Sequence, residues 1–350
     1  MPGDGVDRAE KVRTLVDARG AVANRDVARA LRISPATSHR LLRALVTAGV
    51  LQRAGAGPAA RYALRPVRRR FALAGLDEDR AWRQVSADVA RIRPLDEEEA
   101  RSLRYAASEV INNAIDHSGG RRVEVDVAFE QKGTTVTRVR DDGVGVFRRV
   151  CETFGFATPA DAIVQLEKGK LTSDPSRHSG EGLFFSSKVV SRFRIESRGA
   201  AWVVDNLIHD STIAASGLAQ GTLVTLTTVR GRTPRLAEAF AAYTDPETLR
   251  FGRTRVTVKL SALGDAFVSR SEARRLVARW TDFTHVTLDF SGVEMVGQGF
   301  CDEVFRVFAS RHPAVTIEPV GMNDPVAFMV GRARARVDLR HVRKVPEGAS

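Results

Sequence analysis

A chain of 350 residues, 43% hydrophobic and 27% charged, is too long for one ordinary core; at roughly one domain per 100–200 residues, three domains are expected here. No apolar run approaches the roughly eighteen residues of a membrane span, and the N-terminal MPGDGVDRAEKVRTLV sets charges where a secretory signal needs an apolar stretch, so a cytoplasmic protein with no membrane partner is expected. The formal charge is +12, and residues 1–70 hold fifteen Arg/Lys against five Asp/Glu, so that segment alone carries +10, the footprint of a unit that meets phosphates. Cys151 and Cys301 stand far apart with no ligand-spaced partners, which indicates neither a zinc site nor a disulfide framework.

From Asp7 to Arg19, Val12, Leu15 and Val16 recur at helical spacing and Gly20 can close the helix. Asn24 is read as the N-cap of a second helix that buries Val27, Ala28 and Leu31. Ser34 and Pro35 open a third helix, whose Leu41, Leu42 and Leu45 face inward and leave Thr37, Ser38, His39, Arg40 and Arg43 near the outer face. The extended segments VLQR and RYAL flank AGAGPAA and read as a wing. Residues 7–65 thus resemble winged helix-turn-helix domains of the MarR/IclR type. The resemblance implies DNA binding, with the third helix in the major groove and Arg53 and Arg61 on phosphates. A winged helix that contacts protein instead is the alternative.

PVRRRFALAGLDEDR changes composition abruptly and reads as a linker over 67–80. Helices are then expected from Ala81 and over EEEARSLRYAASEVINNAIDHS, followed by strands in RRVEVDVAFE and TTVTRVRDD. Residues 146–179 read as irregular and polar. LFFSSKVVSRF returns to helix, and RFRIESRG, AAWVVDNL and GTLVTLTTV are expected strands.

Within this stretch Glu109 and Asn113 lie four apart on one helical side, so a carboxylate and a carboxamide can enter one pocket. DDGVG ends a strand with Asp141, Gly143 and Gly145. HSGEGLFF sets Gly180, Gly182 and Leu183 at a helix start, and Gly221 with Thr222 opens the last strand. Each element alone is a common turn. Four in this order resemble the N-box, two glycine boxes and terminal Gly-Thr of the GHKL ATPases (gyrase, heat-shock chaperone, histidine kinase and mismatch-repair ATPases), and the N-box looks closest to the anti-sigma serine kinases.

The resemblance implies ATP and Mg²⁺ as cofactors and a Bergerat-type α/β sandwich over 81–232. Asn113 would give its carbonyl oxygen to Mg²⁺, and Glu109 would be the catalytic general base. Asp141 would accept from the adenine amino group, while Gly143 and Gly145 would let backbone approach base and sugar. Gly180, Gly182 and Leu183 would meet phosphate. Thr222 would close the adenine pocket. Phe147 to Ser179, with Lys168, Lys170, Arg177 and His178, would be the lid. His117 is read as a nucleotide contact or a structural hydrogen-bonder, Asn112 and Glu181 as solvent-facing, and Asp142 as a turn residue.

Beyond residue 248 strands and helices alternate, which implies a small α/β domain. LDFSGVEMV resembles the strand before the signature loop of STAS-like domains, over 248–340, and implies a protein partner. Anti-anti-sigma proteins place a phosphorylatable serine in that loop, where this chain has Gly297, Gln298 and Gly299. The fold expected overall is multidomain α+β. Three functions stay open: an ATP-driven regulator, either an ATPase or a serine/threonine kinase, coupled to a DNA-binding winged helix; a transcription factor that only senses nucleotide; and an anti-sigma-like partner switch. A homodimer is compatible with each.

Overall fold

The computed structural model describes residues 3–169, 181–243, 255–262, 265–277, 280–283 and 285–342. The chain divides into two compact units, 1–239 and 240–350. Among the described residues no helix is long and apolar enough to cross a membrane.

The first unit begins with three helices, α1 (Gly3–Arg19), α2 (Asn24–Leu31) and α3 (Pro35–Thr47), followed by an antiparallel pair, β1 (Leu51–Ala54) and β2 (Arg61–Leu64). Gly20, at φ 75°, ends α1 by donating to the Val16 carbonyl at 2.7 Å. Helix α2 is capped through Asp26, whose carboxylate accepts from the Ala23 N–H at 2.7 Å. Asn24, expected as the cap, is instead the first helical residue and donates to the Pro35 carbonyl. Ser34 caps α3, accepting from the Thr37 N–H at 3.2 Å ahead of Pro35. Val12, Val16, Val22, Val27, Leu42, Leu51 and Tyr62 fill the core of this part, and Val22 bridges Tyr62 through two backbone bonds.

Residues 67–80, read from composition as a linker, contribute a strand. β3 (Val67–Ala72) pairs along its length with β4 (Arg122–Glu130) as the edge of a seven-stranded antiparallel sheet. Arg68 binds Asp126 at 3.2 Å, Arg69 binds Asp88 at 2.8 Å, and Arg70 lies 3.2 Å from Glu124. These three cations, counted above in the basic N-terminal segment, are held by carboxylates of the sheet and of the following helix. The cross-strand pairs Arg68–Asp126 and Arg70–Glu124 accompany this strand and are invisible in a linear composition.

Helices α4 (Glu78–Ile92) and α5 (Glu97–His117) follow, capped by Asp77 and Asp96. Next come β5 (Thr134–Asp141), α6 (Val146–Phe154), α7 (Pro159–Lys168) and α8 (Gly182–Lys188), then β6 (Arg192–Ser197), β7 (Ala200–Asp205), β8 (Asp210–Ala215) and β9 (Leu223–Val229). The sheet order is β3-β4-β5-β9-β6-β7-β8. Alternate residues such as Val123, Val125, Val127, Val224, Leu226, Phe193 and Ile195 are buried, as a sheet with one covered face requires, and α4, α5 and α8 pack on it.

Two helices occupy part of 146–179, which the sequence reading left irregular. Phe147 and Val150 give α6 a buried stripe beneath Arg148, Arg149 and Glu152, and Thr158 with Asp161 forms a reciprocal cap on α7. Strand β8 was also unanticipated, since DSTIAA is neither alternating nor strongly apolar. Lys170, Arg177 and His178 lie outside the described residues.

One end of α5 is fastened by a buried ion cluster. Arg93 binds Asp17 of α1 at 3.0 Å, Glu99 at 2.8 Å, the Gly133 carbonyl at 3.2 Å and Thr135 at 2.7 Å. Glu99 also accepts from Thr135 at 2.5 Å and Thr228 at 2.7 Å. Arg230 reaches the second Asp17 oxygen at 3.3 Å, and the Lys132 N–H donates to the Asp17 carbonyl at 3.1 Å. Charges this deep are tolerable only when paired; each charge here has a partner, although the buried Arg93 Nε makes no hydrogen bond among the described residues, and the cluster ties α1 to the sheet.

The second unit follows the sequence from the end of α9 (Leu236–Ala241). β10 (Arg255–Lys259), β12 (His285–Asp289) and β14 (Thr316–Val320) form a parallel sheet, and β11 (Ala266–Phe267) pairs with β13 (Met295–Val296). Helices α10 (Arg270–Val277), α11 (Gln298–Cys301), which runs on through a π-helical stretch Asp302–Phe308 into α12 (Ala309–Arg311), and α13 (Asp324–Val342) complete the alternation. Its core gathers Trp280, Leu288, Phe290, Phe300 and Phe305.

Candidate functional site

Helix α5 buries Ala106, Val110 and Ala114 against the sheet, so its half-buried flank presents Tyr105, Glu109 and Asn113, each one turn from the next. The carboxylate and carboxamide expected to share a pocket are on that flank. Asn112 is half-buried as well and does not stand out in solvent.

Asp141 ends β5 and is buried. Its Oδ1 accepts from the Gly143 N–H at 2.8 Å and from the Thr222 N–H at 3.2 Å, and the Thr222 hydroxyl also bonds the carboxylate. A carboxylate has about four acceptor sites, so an acceptor is left for a further donor. Burial pushes the Asp141 carboxyl above the ordinary range, while the bonds from Gly143 and Thr222 oppose it. Thr222 is fixed in turn, because its Oγ1 accepts from the Val146 N–H at 3.1 Å.

The backbone around Asp141 is packed to the limit. A Cβ on Gly143 would overlap the Ser118 carbonyl, and the Val144 N–H donates to that same oxygen at 2.9 Å. Gly145, at φ 92°, begins α6 with its α-carbon against the buried Ser197 hydroxyl, which has no partner among the described residues. Asp142 turns away and accepts from the Arg121 and Arg122 N–H groups at 2.7 and 2.9 Å, which holds its carboxyl below the usual range. It is the clamp of the β4 entry loop as well as a turn residue.

The glycine before α8 meets the catalytic candidate directly: a Cβ on Gly182 would overlap Oε2 of Glu109. Gly182 thus packs on Glu109, which is one turn from Asn113, and Leu183 is half-buried. Gly180 lies outside the described residues. His117 is the last residue of α5, and its carbonyl accepts from Arg149 at 3.1 Å. Glu181, read as solvent-facing, is half-buried, and with Glu109 it bears electrostatically on Tyr105, whose hydroxyl is pushed up by burial first and then by these two carboxylates. The sequence reading passed over Tyr105; its spacing from Glu109 was the available signal.

On α3, His39, Arg40 and Arg43 are exposed and Thr37 is half-exposed; Arg53 and Arg61 on the hairpin are exposed. Ser38 is a correction. It is fully buried and donates to the Asn24 carbonyl at 3.1 Å, fixing α3 on α2, so it presents nothing to a groove. Arg61 also faces Asp26 at 3.6 Å.

Three features bear on ligand fit: Asp141 keeps acceptor capacity, Gly143, Gly145 and Gly182 are packed on protein atoms that leave no room for a Cβ, and the Ser197 hydroxyl behind Gly145 has no partner among the described residues. Residues 74–205 match the family model described as a histidine kinase-like ATPase domain, and residues 272–327 match a STAS-like domain of unknown function. The first match supports adenine-nucleotide binding and a GHKL-type switch, commonly with Mg²⁺; the second fits protein interaction. The mixed α/β architecture and its large antiparallel sheet are consistent with both. No curated protein matches the chain. Among solved structures, a proposed ICLR transcriptional regulator from Silicibacter sp. TM1040 is 12% identical over 68% of this chain and 92% of that one, with a TM-score of 0.19, at which no common fold is established.

Proposed function

We propose that residues 81–232 bind ATP·Mg²⁺ as a nucleotide switch, that residues 1–66 form a winged helix that binds DNA, and that residues 248–340 form a protein-docking STAS-like domain. The carrying observation is the Asp141 carboxylate, oriented by Gly143 and Thr222 and left with acceptor capacity, in the same matched domain as the Glu109 and Asn113 flank of α5. We read the first as the group for an exocyclic amine and the second as the group for phosphates.

Asp141 would accept from the adenine amino group, and Gly143 and Gly145 would admit the base and sugar. Asn113 would offer a carbonyl oxygen to Mg²⁺, a hard cation satisfied by few protein ligands plus phosphates. When bound, that ion neutralises charge on the transferring phosphoryl group. Glu109, one turn earlier and against Gly182, would take the proton from an attacking water or from a Ser/Thr hydroxyl; hydrolysis and phosphoryl transfer use the same residues. The buried cluster at Asp17 and Arg93 supports a firm mechanical link from this domain to α1, and exposed His39, Arg40, Arg43, Arg53 and Arg61 support a DNA face.

A second reading, a protein-partner switch, is favoured by exposed Val268 and Met295, 53% and 51% accessible, beside Gly297. The test is calorimetric ATP binding with and without Mg²⁺ for wild type, Asn113→Ala and Asp141→Asn, then DNA retention across a salt series. Mg²⁺-dependent binding lost in Asn113→Ala, with a steep salt slope, is expected. Absence of any ATP affinity sinks the nucleotide reading, and a flat salt slope sinks the DNA reading.

A further inference from the structure

We propose that Ser197 is a base-reading residue of the nucleotide site: its hydroxyl donates to the purine ring nitrogen beside the amino group that Asp141 accepts from. This rests on the assignment of Asp141 to the adenine amino group.

Strand register aligns Ser197 with Asp141. Arg140 of β5 and Glu196 of β6 both pair with Leu223 of β9, so one step further Asp141, Thr222 and Ser197 stand in one row across three neighbouring strands, about 4.8 Å from strand to strand. The Asp141 N–H continues that pairing by donating to the Thr222 carbonyl at 3.0 Å. The three residues share the parity of Val139, Val224 and Ile195, which are buried, and so point to the face that the helices cover. Gly145 closes on this row: a Cβ there would overlap the Ser197 hydroxyl and lie 3.1 Å from the Gly221 carbonyl oxygen.

The hydrogen-bonding capacity of the row selects Ser197. The Watson–Crick edge of adenine offers an amino donor and, next to it, a ring nitrogen that only accepts. An ionised Asp141 only accepts, which suits the amine and not the ring nitrogen. Thr222 has one hydroxyl proton and gives it to Asp141, while its oxygen accepts from the Val146 N–H. Ser197 is fully buried, and its hydroxyl has no partner among the described residues, so its proton is unassigned. A buried hydroxyl in this condition costs free energy that a bond to a ligand recovers. Its cover is the Gly145 backbone, which has no side chain and can give way to a ring, so that the bond forms directly or through one water.

Calorimetry on the full-length chain compares ATP with 1-deaza-ATP, in which carbon replaces that ring nitrogen. Wild type should bind the analogue about fivefold more weakly than ATP, one hydrogen bond's worth. Ser197→Ala should bind ATP about fivefold more weakly than wild type does, and should bind ATP and the analogue equally within about twofold, because both deletions remove the same bond. Without nucleotide, Ser197→Ala should melt at or above the wild-type Tm. Thr137→Val removes another fully buried hydroxyl that lacks a partner among the described residues, on β5 but away from the Asp141 row, and should raise Tm with ATP affinity unchanged. Additive losses, or wild-type ATP affinity in Ser197→Ala, overturn the proposal. So does a Ser197→Ala chain that melts below wild type, since its hydroxyl would then be bonded within the protein, and so does an equal loss of ATP affinity in Thr137→Val. A wild type that binds no ATP instead removes the adenine assignment on which the proposal rests.

Discussion

The two ends of α5 treat polar groups in opposite ways. At its first turn Glu99 is fully buried, and its carboxylate is bonded to Arg93, Thr135 and Thr228. About three and four turns on, Glu109 and Asn113 are only half-buried, and Glu109 abuts Gly182. One helix thus carries a buried charge cluster that fixes position and a half-buried polar flank beside Gly182. Rigid support beneath an open site is what preorganised chemistry demands, and the contrast can be probed from either end.

The largest effect is expected at the buried end. Arg93→Met should cost about 3–5 kcal/mol in urea unfolding, because it strands Asp17 and Glu99 in the interior; a loss below about 1 kcal/mol would show that the cluster does not fasten α1. At the open end, Glu109→Gln should reduce ATP turnover by about 10²–10⁴-fold while leaving ATP affinity within a few-fold. An equal loss of affinity would make Glu109 a binding group and dissolve the distinction.

A smaller effect is predicted for Asp141. Its folded carboxyl is raised, so its stabilising share is complete below the ordinary aspartate range and is lost as pH climbs through the raised value. The ionised form is costly in the free chain and compensated when a donor binds. ATP affinity should therefore begin to fall on acidification at a pH above the usual aspartate range. Asp141→Asn should abolish that dependence, weaken ATP about tenfold or more, and leave the free protein at least as stable at neutral pH by thermal melting. The smallest expected effect lies on the exposed arginines: Arg40→Ala or Arg43→Ala should each reduce the salt slope of DNA retention by about one, whereas Ser38→Ala should change stability and not the slope.

Legibility in the sequence followed the same contrast. α5 and its flank were readable because 3.6-residue periodicity and the Glu109/Asn113 spacing are local, and the glycines announce close backbone approach by type. What escaped depends on contacts distant in the chain. Arg68, Arg69 and Arg70 look like a charged linker until Asp126, Asp88 and Glu124 face them. Ser38 looks like a surface polar residue until the Asn24 carbonyl is placed beneath it. Helices α6 and α7 carry their own signals in Phe147, Val150 and the Thr158 cap, set within a polar stretch that otherwise reads as irregular. Tyr105 had no motif to mark it, only its spacing from Glu109 on α5.

The placement of β3 decides how this molecule can be dissected. Only Arg65 and Pro66 separate β2 from β3, so no slack segment exists at which the front of the chain could be cut away. A fragment starting at Ala81 would bare the hydrogen-bonding edge of β4 and invite self-association, and would remove the Asp17 partner of Arg93. A fragment ending at Pro66 would leave Asp17 without its counterions. Isolated pieces should therefore aggregate or melt early, and activity measured on them would describe damaged parts in place of the intact chain.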